Sequence, residues 1–328
     1  TQPAAASALL NAAPARPVPT TTHRPGAMFG TVSGSAVANV MTTGTFSIPM
    51  MKRLGYRPAF AGAVEAVAST GGQIMPPIMG AAAFVMAEFL GIAYIDVAKF
   101  ALIPAVLYFG ALFLAVHFEA KRVGMVGLPK SELPSLSQTL KNDGHLFIPL
   151  FVIVGVLVAG YSAPFSALCG IFSVFPTIML RKSSRKHLNF DNMLMALVDG
   201  AKNAVGVALA CGCAGIVIGV IALTGLGIDF TSLVLVISQN SLVLALFLSM
   251  IAGIILGMGM PTTPAYIMQV ALLVPAVVKL GVPVEAAHMF VFDFALLSAI
   301  TPPVALAVYA ANGISGAGLW ESGLAAVK

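Results

Sequence analysis

Two stretches of this chain carry the same prolines and glycines in one register. Pro49, Leu54, Gly55, Pro76 and Pro77 recur 226 residues later as Pro275, Leu280, Gly281, Pro302 and Pro303, with no insertion between them. Proline removes a backbone donor and clashes with the preceding helical turn, so each Pro-Pro pair cuts an apolar stretch, 58–95 or 283–311, into two half-helices. Ahead of each lies another apolar stretch, 29–53 or 241–280, interrupted by small polar residues: Ser33-Gly34-Ser35 in the first and Gly259-Met260-Pro261-Thr262-Thr263-Pro264 in the second. These two read as re-entrant hairpins. Non-helical backbone at membrane depth survives only where it is buried in protein or lines a wet cavity. Paired discontinuous helices in two halves of a chain point to a transporter binding site.

Lipid is the solvent that such a pattern requires, and composition agrees. Charged residues make up 9% of the 328 and hydrophobic ones 59%, where a soluble domain carries about 25% charge. Further apolar runs that approach or exceed bilayer length lie at 96–118, 144–160, 162–180 and 201–224. The net charge of +5 does not imply nucleic acid, because the Lys and Arg residues form short clusters between apolar runs, as cytoplasmic loops do. Cys169, Cys211 and Cys213 fall inside apolar segments, with nothing nearby in sequence to complete a metal site.

Charge also sets the expected orientation. Lys52, Arg53 and Arg57 flank the first hairpin; Lys121, Arg122 and Lys130 fill one later loop and Arg181, Lys182, Arg185 and Lys186 another. All three clusters are expected in the cytoplasm. Five crossings then separate the two hairpin bases, and the second base carries only Lys279, so the repeats are expected to be inverted. Residues 188–200 fit between as an interfacial helix with Phe190, Met193, Leu194 and Leu197 on one face, or as a plain loop.

The expected fold is therefore an all-α membrane protein, a multi-span helical transporter with inverted repeats, two re-entrant hairpins and two Pro-broken helices. Its expected divisions are an Ala/Pro-rich disordered tail over 1–28, a first repeat over 29–120, cytoplasmic loops with two spanning helices and the interfacial helix over 121–200, and a second repeat over 201–328.

Hairpin tips and helix breaks expose carbonyls and amides that no helix satisfies, and hydroxyls beside them can complete an oxygen cage for a small cation such as Na+. One cage is expected from Ser33, Ser35 and Asn39 with Ser69, Thr70, Gly71 and Gly72. A second is expected from Gly259, Thr262 and Thr263 with Ser298, Thr301 and the carbonyls around Ala299. The plainer alternative is that these are small residues for close packing, the role expected of Gly215/Gly219 and Gly253/Gly257 at GxxxG spacing. Glu65, Glu88, Glu285 and Asp293 lie in or near membrane segments, where an ionised carboxylate costs about 2.5–3.5 kcal/mol at a helix centre on insertion scales. Asp293, eight residues before Thr301, is the candidate coupling carboxylate, with structural pairing as its alternative. No organic cofactor is expected, and no nucleophile elbow, HExxH, Walker A or dinucleotide fingerprint is present.

Four segments resemble the large membrane subunit of tripartite ATP-independent periplasmic (TRAP) transporters: SGSAVANVMTTGTFSIPMMKRLGY at 33–56, ASTGGQIMPPIMGAAAFVMAEFLG at 68–91, GMGMPTTPAYIMQVALLVP at 257–275 and ITPPVALAVYAANGISG at 300–316. Many family members have Asp where this chain has Asn39 and Pro261. Those departures and the 119–147 loop resemble the fused permeases that work with TAXI-type binding proteins. Relative to that pattern the small-subunit helices, the first scaffold helices and a last helix are absent, as in a fragment.

The resemblance implies a secondary transporter of the bacterial inner membrane. It would import organic anions, carboxylates such as C4-dicarboxylates, handed over by a periplasmic TAXI-type solute-binding protein, with a small membrane subunit or its fused equivalent. An elevator-type movement driven by a Na+ or H+ gradient is implied, with the ions in the two cages named above. Two other readings stay open: an inactive truncated fragment, and an intramembrane enzyme using Asp293 or Glu65 as acid or base.

Overall fold

The computed structural model describes residues 34–124, 144–180, 190–239 and 241–328. The tail over 1–28, Ser33, the first limb of the first hairpin, Lys130 and the basic cluster from Arg181 to Lys186 lie outside the described residues. Among the described residues every regular element is helical, as expected for a chain whose backbone must satisfy itself without water.

The first group is α1 (Ala36–Arg53), α2 (Pro58–Gly71) and α3 (Ala81–Leu90). Ser35 starts α1 by accepting the Ala38 amide at 3.4 Å, and Lys52 and Arg53 stand in its last turn, where the helix dipole favours cations. Pro58 at the first position of α2 loses nothing by lacking an N–H. Then comes α4 (Tyr94–Val123), 30 residues long, or about 45 Å at the α-helical rise.

The pair α5 (Ile148–Val158) and α6 (Ala163–Met179) follows a short 3₁₀ turn at Gly144–Phe147. They pack so tightly that a Cβ at Gly170 would stand 2.4 Å from Ile153 Cγ1. Next come α7 (Phe190–Thr224), α8 (Leu226–Ser238) and α9 (Leu242–Gly257), and then a second group, α10 (Thr262–Lys279), α11 (Val284–Leu297) and α12 (Leu306–Ser315), before α13 (Leu319–Val327). By length and composition α4, residues Met193–Thr224 of α7, and α10 are long and apolar enough to cross a membrane.

Two expectations from sequence change here. The interfacial helix of 188–200 is not a separate element: from Phe190 onward it is the first part of the continuous α7, because Gly200 alone, without a proline, does not stop a helix. The crossing count also left out α8, whose 13 residues reach about 20 Å, short of a bilayer core of about 30 Å.

The 226-residue register extends to the elements themselves. Ala36–Arg53 and Pro58–Gly71 match Thr262–Lys279 and Val284–Leu297 end for end. The turns between them are both opened by a glycine at positive φ, Gly55 at 104° and Gly281 at 90°, a conformation that costs a glycine little. The groups also interlock. α12 of the second packs on α1 and α2 of the first, while α3 of the first packs on α10 and α11 of the second. One core therefore joins Val40, Ile48, Ala61 and Ala66 to Ile300, Ala305, Val308 and Ala311. The other joins Ile74, Met79, Ala83 and Met86 to Tyr266, Leu273, Val291 and Phe292. Neither group closes its own core alone.

Candidate functional site

The helix breaks lie where the interlocked groups meet. In the first, residues 72–80 leave the helix and return, with the Gly80 amide donating to the Gln73 carbonyl at 2.8 Å; in the second the Ala307 amide donates to the Ala299 carbonyl at 3.0 Å. The Pro76-Pro77 and Pro302-Pro303 peptide bonds are both cis. Each break faces the start of its own group's first helix. A Cβ at Gly34 would stand 3.7 Å from the Ala81 amide nitrogen, and one at Gly259 3.8 Å from Val304 Cγ1. Tip and break are thus neighbours in both copies.

The sequence-predicted residues divide between these places. Asn39 is 4% exposed; its Nδ2 donates to Ser69 Oγ at 2.9 Å, and its Oδ1 is buried with no hydrogen-bond partner. Ser35 Oγ accepts the Ala38 amide at the start of α1. Gly71 and Gly72 are buried, but Gly71 faces α4: a Cβ there would meet the Tyr108 ring at 2.3 Å, and the Tyr108 hydroxyl donates to the Val67 carbonyl at 2.9 Å. The Cα of Gly71 thus packs closely against α4.

In the second copy Thr262 and Thr263 are buried at the start of α10. Ala299 is buried in the second break, and Thr301 Oγ1 donates to the Leu297 carbonyl at 2.7 Å, which leaves its lone pairs for another partner. The GxxxG pairs differ from one another. Gly253 and Gly257 are packing sites, with a Cβ at Gly257 only 2.5 Å from Ser298 Oγ, whereas Gly215 and Gly219 face nothing within 4 Å.

The four membrane carboxylates differ as sharply. Glu88 is exposed and Glu285 half-buried. Asp293 is half-buried on α11, and its buried Oδ1 has no partner. Glu65 is 7% exposed and sits among hydroxyls: Thr43 Oγ1 and Ser47 Oγ of α1 hydrogen-bond to its two carboxyl oxygens, and Ser69 Oγ stands 3.4 Å from Oε1. Among the described residues neither Glu65 nor Asp293 is bonded to a second titratable side chain.

Thr43, Ser47, Gln269, Tyr266 and His288 were missed from sequence. Thr43 and Ser47 carried a signal, because Asn39, Thr43 and Ser47 recur every four residues along one face of the helix. Gln269 donates to the Gly253 carbonyl at 2.9 Å. Tyr266 and His288, bonded through Oη and Nδ1 at 2.6 Å, had no such signal, being paired only through the packing of α10 on α11.

A family model described as "Tripartite ATP-independent periplasmic transporter, DctM component" matches residues 22–328. A putative TRAP transporter large permease protein of Haemophilus influenzae is 25% identical over 88% of this chain and 67% of its own length. The 2,3-diketo-L-gulonate TRAP transporter large permease protein of Escherichia coli is 23% identical over 89% of the chain and 70% of its own length. A sialic acid TRAP transporter large permease protein of Vibrio cholerae is 23% identical over 88% and 66%. The chain thus spans about two thirds of the length of these relatives. All three are named as permeases, not enzymes.

Proposed function

We propose, because the chain belongs to the DctM component family of tripartite ATP-independent periplasmic transporters, that it is the membrane permease part of a cation-driven importer of organic anions. The observation that carries this reading is the reciprocal packing of the two groups, α12 on α1 and α2, and α3 on α10 and α11. It gathers the two helix breaks into one unit, an arrangement suited to holding a small solute and its coupling ions. Relatives whose names give 2,3-diketo-L-gulonate and sialic acid support an organic acid as cargo.

The finer features are part of the proposal. Na+ or H+ is the driving ion. For Na+, the first cage uses Ser33, Ser35, Asn39, Gly71 and Gly72, and the unpartnered Asn39 Oδ1 supports an oxygen ligand there. The second uses Gly259, Thr262, Thr263, Ala299 and Thr301. The interlocked unit moves as an elevator against a scaffold containing the largely exposed α4 and α7. The two groups are inverted across the bacterial inner membrane, with the Lys52–Arg53 base inside and the Lys279 base outside. A TAXI-type periplasmic binding protein delivers the solute, and a small or fused membrane subunit completes the transporter.

The test is uptake of labelled organic acids by proteoliposomes holding the complete transporter and its binding protein. Uptake should collapse when both Na+ and H+ gradients are abolished. Gradient-independent uptake overturns the coupling, and cysteines near Arg53 and Lys279 labelled from one compartment overturn the inversion.

A further inference from the structure

A side-chain amide has two ends of nearly the same shape, one that donates and one that accepts, so its neighbours decide which way a buried Asn turns. Asn39 is such a residue. It stands in the first turn of α1, with its backbone amide donating to the Ser35 carbonyl at 3.0 Å, and it meets Ser69 in the last turn of α2. Its Nδ2 donates to Ser69 Oγ at 2.9 Å, and its Oδ1 is buried without a partner. A buried acceptor left without a donor is costly. The orientation that leaves this oxygen free calls for a reason.

That reason lies one step further along the same hydrogen bonds. Three hydroxyls donate to the buried Glu65 carboxylate: Thr43 and Ser47 of α1, and Ser69, one turn along α2, at 3.4 Å. Among the described residues no Lys, Arg or His is paired with Glu65, and Lys52 of α1 donates to the Ser315 carbonyl instead. A carboxylate only accepts, and a serine has one proton to give. Having given it to Glu65, Ser69 can only accept from Asn39, and Nδ2 is the end of the amide it can accept from. The order from Asn39 through Ser69 to Glu65 therefore runs one way, and it leaves Oδ1 as the end turned away from Ser69.

The second copy has no such chain of bonds. At the 226-residue offset Asn39, Glu65 and Ser69 are replaced by Ala265, Val291 and Ala295, yet the helices that carry them have the same bounds in both copies. Helices of these lengths therefore form without an asparagine, a serine and a buried acid at these places, and the acid is costly within a membrane. What the first copy gains from the three is one buried oxygen of fixed direction. It lies between the start of α1 and the last turn of α2, where Gly71 and Gly72 lead into the first break.

We propose that Glu65, acting through Ser69, holds the Asn39 amide with its oxygen toward the first cage, so that the cage takes Na+. Asn39 Oδ1 is the ligand, and Glu65 is a positioning residue that does not touch the ion. With the order of bonds reversed, Asn39 would present N–H groups, which offer a cation no lone pair. This deepens the cation-driven reading and rests on it for the cage, while the role of Glu65 is measured without any cargo.

The experiment measures Na+ binding to the complete transporter in lipid as the rise of its unfolding temperature with NaCl, with choline chloride as the control for ionic strength. Glu65→Gln puts a possible donor where the acceptor stood, and Ser69→Ala breaks the chain of bonds while keeping the charge of Glu65. Each should raise the Na+ concentration for half-maximal stabilisation about tenfold, the equivalent of about 1.4 kcal/mol. Ser69→Thr, which keeps the hydroxyl, should stay near wild type. Asn39→Asp has an oxygen at both ends and needs no turning, so beside it Ser69→Ala should change the Na+ requirement little. This pair serves if Glu65→Gln does not fold. An unchanged Na+ requirement in Glu65→Gln and Ser69→Ala overturns the positioning role, and so does a loss in Ser69→Ala that is as large beside Asn39→Asp as without it. A wild type that NaCl stabilises no more than choline chloride does overturns the Na+ cage and the positioning role together. Uptake that ignores both gradients while the variants still shift Na+ binding overturns the transport reading and leaves the role of Glu65 standing.

Discussion

Met79 and Ala305 occupy equivalent places 226 residues apart, each two residues after a Pro-Pro pair, and both hold the left-handed backbone at φ 60° and 43°. For an L-residue other than Gly, Asn or Asp this region costs roughly 1–2 kcal/mol. Both side chains are buried, at 1% exposure each, so the surrounding cores hold the backbone there. Met79 belongs to the core built on α10 and α11 and Ala305 to the one built on α1 and α2. The two strained turns therefore point into opposite halves of the interlocked unit.

Ala305→Gly removes one methyl and releases that conformation. The expected result is a gain of up to about 1 kcal/mol in unfolding free energy in detergent, whereas Ala305→Val should lose more than 1 kcal/mol. Equal loss in both variants would show that the methyl contact outweighs the backbone term.

The glycines give a paired prediction. Gly257→Ala drives a Cβ to 2.5 Å from Ser298 Oγ and 2.8 Å from Gln269 Nε2, and overpacking of this kind costs about 1–3 kcal/mol. Gly215→Ala meets nothing within 4 Å and should stabilise α7 by about 0.5–1 kcal/mol through helix propensity alone. Thermal unfolding of the two variants side by side reads the difference; a destabilised Gly215→Ala would reveal a partner on that face.

Much of this was legible in sequence because proline and glycine act locally. Pro76-Pro77, Pro302-Pro303, Gly55 and Gly281 mark their breaks and turns without help from the rest of the chain. The α8 helix was not legible, since Asp229, Thr231 and Ser232 interrupt its apolar run, and two of these hydroxyls are satisfied within the helix, Thr231 on the Gly227 carbonyl and Ser232 on that of Ile228. The exchange of α3 and α12 between the two groups was beyond reach too. Periodicity shows which face of a helix is apolar but not which neighbour covers it. Thr43 and Ser47 show their shared face with Asn39 in sequence, but not that Glu65 of α2 meets it.

Lys52 ties the two groups together at their edge. Its Nζ donates to the Ser315 carbonyl at 2.9 Å, in the last turn of α12, where the helix dipole adds attraction for a cation. Lys52→Met should lower stability by about 0.5–1.5 kcal/mol, and Lys52→Arg should restore most of it. High salt should narrow the gap between wild type and Lys52→Met; a gap unchanged by salt would assign the effect to packing of the stem.

The Tyr266–His288 bond should be worth more than its length suggests, because both partners are buried, at 0% and 5% exposure. Tyr266→Phe keeps the ring against Phe292, 5.7 Å away between centroids, but leaves His288 Nδ1 without its partner at a cost of about 1–3 kcal/mol. The double variant with His288→Leu should recover part of that loss, since it removes the stranded nitrogen as well. A double-mutant cycle in chemical unfolding measures the coupling, and strict additivity would mean the pair does not hold α10 to α11.

Thr262 and Thr263 test the second cage directly. Both are buried where α10 begins, and Thr→Val preserves shape while removing the one side-chain atom able to ligate an ion. If each hydroxyl contributes about 1.4 kcal/mol to cation binding, Thr262→Val should raise the Na+ concentration for half-maximal uptake about tenfold, with thermal stability in Na+-free buffer little changed. Thr262→Ser, which keeps the oxygen, should stay near wild type. An unchanged Na+ requirement in Thr262→Val would remove that hydroxyl from the ligand set, and a loss of stability without Na+ would mean its role is to start the helix.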